Sequence, residues 1–181
     1  MKTAKNSERI YARVAGFTFL FYIVAGISSL ALGSQSQAAD LLSLLQSFSA
    51  LVLGVSLYVL TAEHGPGLAL LALTSRVAEG IGYGESAIYF AVSSLIFSWL
   101  FLRGGLIPAA LAGLGVIASA LLVIILPLQL VDLFGGAMSW GASVTWLVWL
   151  PMLVLEVTLA LWLIIKGVKS GQGELRPGET A

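Results

Sequence analysis

Three charged residues stand where charge is least expected. Arg76, Glu79 and Glu156 lie inside apolar stretches, whereas nearly every other charge falls between such stretches. Arg76 is nine residues past Gly67 and Glu156 is ten before Lys166. At 1.5 Å rise per helical residue, each sits roughly 13–15 Å from the nearer end of its stretch. Arg76 and Glu79 are spaced i and i+3 and so share one helix face. A charge at the centre of a bilayer costs at least ~2.5–3.5 kcal/mol, so such residues face a bundle interior and meet partners there. The three are expected to converge, with Arg76 paired to Glu156 or to Glu79. Two acids and one base leave one acid over. That acid is free to carry a proton or to hold a small polar or cationic solute. Alternatively, the charges are a buried ion pair that only fixes helix packing.

The elements that must position them follow from composition and punctuation. Of 181 residues, 59% are apolar and 10% charged, with mean hydropathy +0.99. Soluble domains carry about 25% charge. The reading is all-α, a polytopic transmembrane helix bundle with the lipid bilayer as its surroundings. Charges and turn residues divide the chain into six spans, at about 14–32, 41–62, 68–84, 86–102, 106–126 and 142–165. A helix needs about 20 residues to cross the hydrocarbon core. Between the spans lie the Gly33–Gln37 polar turn, the Glu63-His64-Gly65-Pro66-Gly67 turn, Arg103-Gly104-Gly105, and a connector from Pro127 to Gly141. Pro108 is expected in the first turn of the fifth span. Ser86 is expected as the cap of the fourth, and Leu128–Phe134 as a short interfacial helix. Residues 1–13 form a cytoplasmic segment and 166–181 a disordered cytoplasmic tail. The uncharged run after Arg13 is too long for a leader and suits a retained helix.

Orientation follows from the cations. Lys2, Lys5, Arg9, Arg13, Arg103, Lys166, Lys169 and Arg176 fall on one side, eight of the nine cations. Asp40, Glu85 and Asp132 fall on the other with none. This is the positive-inside pattern, with both termini in the cytoplasm. Trp99 and Trp162 then lie near the inner interface, and Trp140, Trp146 and Trp149 near the outer one, where indoles prefer to sit.

The remaining residues exclude more than they offer. Net charge is zero, which leaves no cationic surplus for nucleic acid. With no Cys and one His, disulfides, thiolate metal sites and imidazole clusters are excluded. No metal site and no cofactor is expected, and no enzyme. Gly141-Ala142-Ser143 suggests a serine nucleophile only faintly, since His64 is on the opposite side of the membrane. His64 reads as a solvated loop residue. Gly80, Gly82 and Gly84 follow a helix, not a strand, so a dinucleotide loop is excluded. They read as close packing and a bend. Ala25/Ser29, Ala109/Gly113 and Gly115/Ser119 read as packing faces, and Ser43, Gln46, Ser47 and Ser49 as interhelical glue. Two inner hairpins echo one another, Leu57–Leu60 before Gly65-Pro66-Gly67 and Trp99–Leu102 before Gly104-Gly105. Any short turn between spans has that form. Pro151 offers a kink before Glu156.

Several segments, taken in order, resemble a family. They are Ala12-Arg13-Val14-Ala15-Gly16-Phe17, Gly67-Leu68-Ala69-Leu70 and Arg76-Val77-Ala78-Glu79-Gly80. Leu106-Ile107-Pro108 with Leu114-Gly115-Val116-Ile117 follows. The last runs from Leu150-Pro151 through Glu156 to Ala160–Gly167. Together they resemble the bacterial membrane proteins of the domain of unknown function 4386 family, although the stretch between Arg76 and Arg103 is shorter here. The resemblance implies an integral membrane bundle of the bacterial cytoplasmic (inner) membrane and implies no activity. Two functions remain, a small solute or proton transport or ligand-binding bundle, and a structural or accessory membrane protein. The topology is testable. Reporter fusions after Gly33, Gly84 and Gly136 are expected outside, and those after Gly65 and Lys169 inside. An outside C-terminus contradicts the six-span reading.

Overall fold

The computed structural model describes residues 2–33, 36–82, 86–131, 133 and 143–169. Expectations for Gly84, Glu85, Asp132, Trp140, Gly141, Ala142 and the tail from 170 lie outside these residues, as do those for the side chains of Ser143 and Trp146. Six α-helices follow in order: α1 (Lys2–Leu32), α2 (Gln37–Thr61), α3 (Pro66–Ile81), α4 (Ser86–Gly104), α5 (Ala109–Leu130) and α6 (Ser143–Ile165). Each consecutive pair packs together, and α6 returns to pack on α1, which closes the bundle into a ring. Among the described residues, five helices are long and apolar enough to cross a membrane, which marks a multi-pass membrane protein.

The third element, expected at 68–84 as one of the shortest spans, is shorter still at its end. α3 has 16 residues, about 24 Å of helix, against a hydrocarbon core of ~30 Å. It stops at Ile81 because Gly82 adopts φ +69° and turns its N–H onto the Glu79 carbonyl at 2.9 Å. That left-handed conformation carries no Cβ penalty in glycine. Conversely, α5 does not end at Leu126. It runs through Pro127 to Leu130, so the first residues of the expected interfacial helix belong to α5. Pro108 caps α5 from outside rather than sitting in its first turn, and the Ala112 N–H bonds its carbonyl at 3.0 Å. α6 likewise continues through Pro151.

The α2–α3 and α4–α5 turns are built by local chemistry. α4 ends in a Schellman motif around Gly105, at φ +59°. Leu106 N–H bonds the Phe101 carbonyl at 3.1 Å and Gly105 N–H the Leu102 carbonyl at 3.2 Å. Two of the four orphaned carbonyls of the last turn are thereby satisfied. The buried Leu106 offers its own carbonyl to Lys169 N–H at 2.8 Å, which ties the end of α6 to this turn. Before α3, Pro66 occupies the first helical position, where its missing N–H costs nothing. His64 is not a solvated residue there. It is half-buried, its Nδ1 is buried without a partner, and its ring lies against Gly104.

Lipid removes most of the hydrophobic drive between helices, so packing must come from close approach. Gly16 supplies the α1–α6 seam. A Cβ there would stand 2.6 Å from Ile164 Cγ1 and 2.7 Å from the Ala160 carbonyl oxygen. Gly80 lies against α2, facing the Ser47 carbonyl oxygen, as close packing required. Ser29 Oγ donates to the Ala39 carbonyl at 3.2 Å and lies 2.9 Å from Ser43 Oγ, which joins α1 to α2. Gln46 fills the space above Gly26. Ser47 and Ser49, expected as glue, bond carbonyls of their own helix. Of the small-residue pairs, Gly115/Ser119 packs against α4 and α6. Ala109/Gly113 does not pack within the chain, since Ala109 is exposed and Gly113 faces open space.

These two glycines separate seam from surface. Gly16→Val is expected to destabilise the solubilised protein by about 1–3 kcal/mol through overpacking. Gly113→Ala is expected to be neutral or to gain up to ~1 kcal/mol from helix propensity. Thermal unfolding in detergent measures both, and equal effects would refute the seam.

Candidate functional site

Arg76 is the largest fully buried side chain of the described residues, 1% exposed. α2 approaches it closely because it carries Gly54 opposite, where a Cβ would lie 2.9 Å from Arg76 Cβ. The guanidinium then finds its partners in three directions. Nη1 donates to Glu79 Oε2 at 2.8 Å, the i,i+3 pair on α3. Nη2 donates to Ser94 Oγ on α4 at 3.2 Å. The plane of the group is backed by the Phe90 ring, 4.8 Å from its centroid. Phe90 and Ser94 are i and i+4, so one face of α4 provides both contacts. A desolvated cation over an aromatic face gains about 2 kcal/mol.

Glu79 is satisfied on both oxygens. Its Oε1 accepts a 2.6 Å hydrogen bond from the Tyr22 hydroxyl on α1. Tyr22 also stacks on Phe90, with centroids 6.4 Å apart and planes 5° from parallel. Trp149 of α6 stacks on Phe90 at 5.5 Å. The indole of Trp149, expected near the outer interface, thereby joins the aromatic column on Phe90.

Glu156 is treated differently. It is 6% exposed, and its Oε1 is buried with no hydrogen-bond partner. It forms no ion pair with Arg76; among the described residues the Arg76–Glu79 contact is the salt bridge of this interior. Of the two expected pairings, Glu79 is therefore the one that forms. Glu156 is near enough for the charges of Arg76 and Glu79 to act on it. On the other side of the ledger, Arg76 Nε is also buried without a partner. Among the described residues, this cluster thus holds one unused donor, Arg76 Nε, and one unused acceptor, Glu156 Oε1.

Sequence reasoning picked out the three charges but missed Tyr22, Phe90 and Ser94. Tyr22 had a usable signal, a phenol in the middle of an uncharged run, because a buried hydroxyl needs a partner. Phe90 and Ser94 had none, since Phe and Ser recur throughout these helices. Among the described residues, no group of three or more His, Cys, Asp or Glu is arranged to hold a metal.

A family model described as a domain of unknown function, DUF4386, matches residues 78–167. The matched stretch contains Glu79, Phe90, Ser94, Trp149 and Glu156; Tyr22 and Arg76 lie before it. No curated protein and no solved structure matches the chain.

The network assigns unequal weights to its members. Arg76→Ala strands Glu79 as an unpaired buried charge and is expected to cost about 3–5 kcal/mol. Tyr22→Phe removes one hydrogen bond to a charged group and is expected to cost about 1–3 kcal/mol. Arg103→Ala, at an exposed helix end, is expected within ~0.5 kcal/mol of the parent. Thermal unfolding and folded yield of the solubilised variants check the order. Equal effects at Arg76 and Arg103 would contradict a buried pair.

Proposed function

The chain belongs to the DUF4386 family, whose description names no activity, and from its interior we propose a membrane bundle that binds or transports a small polar or cationic solute or a proton. In this reading the chain sits in a bacterial cytoplasmic membrane with both termini inside, as its cation asymmetry suggests. It performs no covalent chemistry. The observation that carries the reading is Glu156, a buried carboxylate whose Oε1 has no partner, beside an ion pair already complete. Ionisable groups inside a membrane mark substrate and ion pathways more often than packing devices. Maintaining an unpaired acid there costs stability without return unless something else uses it.

A second reading is supported by a different observation. Tyr22, Glu79, Arg76 and Ser94 form a continuous chain of hydrogen bonds joining α1, α3 and α4. Such a set suffices to lock three helices in register, the role of a structural or accessory protein. It accounts for Arg76 and Glu79 and leaves Glu156 without a task. We therefore assign the lock to Arg76 and Glu79 and the exchange to Glu156.

Substitution separates the two. Glu156→Gln keeps shape and hydrogen-bonding capacity while removing the titratable group. It is expected to fold at parental yield and to lose the growth phenotype restored by the parent gene in a deletion strain. If Glu156→Gln, Glu79→Gln and the double substitution all complement like the parent, the charges are structural and the transport or binding reading falls.

A further inference from the structure

Resting on that reading of Glu156, we infer that the species exchanged at this carboxylate is a proton, taken up and released by Glu156 itself, and not a metal or organic cation. Too few ligand atoms stand free here for either cation. A hard cation is held by about six or more oxygens. Glu79 has both oxygens engaged, one by Arg76 and one by Tyr22. Ser94 Oγ already accepts from Arg76. That leaves Glu156 Oε1 as the buried carboxylate oxygen without a partner; the oxygens of Glu79 and Ser94 keep a lone pair each, but every one already faces a donor of Arg76 or Tyr22, whose hydrogens a metal ion would have to displace. An organic cation is served no better. It needs an aromatic face, and the face of Phe90 is covered by Arg76, with Tyr22 and Trp149 stacked on the same ring. Arg76 would also repel it. A proton needs one oxygen and no cage.

Charge bookkeeping supports the same species. With a proton on Glu156, the interior holds Arg76⁺ and Glu79⁻ and is neutral. When the O–H bond breaks, its electron pair stays on Glu156 and the proton passes to water, leaving one net negative charge. The group placed to answer that charge is Arg76, whose buried Nε–H has no partner. The titratable groups whose charges reach Glu156 are Arg76 and Glu79 from α3, with Tyr22 of α1 beside them. α5, which also packs on α6, carries no titratable residue.

Infrared difference spectra between acidic and alkaline buffer, taken on the full chain in lipid vesicles, test this. The expected result is a carbonyl band of a protonated, buried carboxyl that disappears on the alkaline side. The band is lost in Glu156→Gln and kept in Glu63→Gln, an exposed control. At fixed pH, sodium chloride and tetramethylammonium chloride leave the parent's band unchanged. Persistence of the band in Glu156→Gln overturns the inference. So does displacement of the parent's band by either salt, a measurement that holds even if the variant fails to fold. Lost complementation by Glu156→Gln with no pH-dependent band keeps the functional site and overturns the proton. A pH-dependent band with normal complementation upholds the proton and overturns the function.

Discussion

A guanidinium enclosed by apolar helices must have its charge balanced and its donors met, and the geometry around Arg76 is arranged to do so. Its nearest acid is on its own helix, one turn away, so the ion pair needs no tertiary assembly to form. Tertiary structure then finishes what the pair leaves open. α2 withdraws to a glycine at position 54, α4 supplies a hydroxyl and a ring, and α1 supplies a phenol. Because one cation is spent on Glu79, Glu156 is left as a second acid without an ion-pair partner among the described residues. The functional reading depends on that single shortage of positive charge.

The ring of helices makes the shortage durable. The α4–α5 hairpin is closed by local bonds at the Gly105 turn, and the α1–α6 seam is closed by contact at Gly16. Helices joined at both flanks cannot easily turn a charged face to lipid, where exposure would cost more than burial with a partner. The short α3 belongs to the same design. It is the least apolar of the six in its inward content, with Ser75, Arg76 and Glu79 buried together, and its flanking helices cover it.

Much of this was legible in the residues, and the parts that were not have physical reasons. Apolar runs broken by charge and glycine announced six helices, since burial in lipid leaves few alternatives to a helix. Where the ends fell was less visible. A proline reads as a stop in sequence, yet α5 passes through Pro127 and α6 through Pro151, because neighbouring helices compensate a missing hydrogen bond at membrane depth. Depth identified Arg76, Glu79 and Glu156 as interior residues. It could not rank the two acids, since both stood at a similar distance from the inner face. Side-chain direction decided, and the i,i+3 spacing on one helix won over a partner on another. Tyr22 and Trp149 join the site from helices whose rotation about their axes no linear pattern fixes. Trp149 in particular looked like one more indole of an interfacial belt.

The central claim is that Arg76 belongs to Glu79 and leaves Glu156 unpaired. Two double-mutant cycles measured by thermal unfolding in one detergent address it directly, Arg76→Gln with Glu79→Gln, and Arg76→Gln with Glu156→Gln. Residues in contact couple by about 0.5–3 kcal/mol, whereas independent ones add to within ~0.3–0.5 kcal/mol. The geometry predicts a coupling in the upper part of that range for Arg76 with Glu79, and a clearly smaller one for Arg76 with Glu156. A stronger coupling of Arg76 to Glu156 than to Glu79 would contradict it.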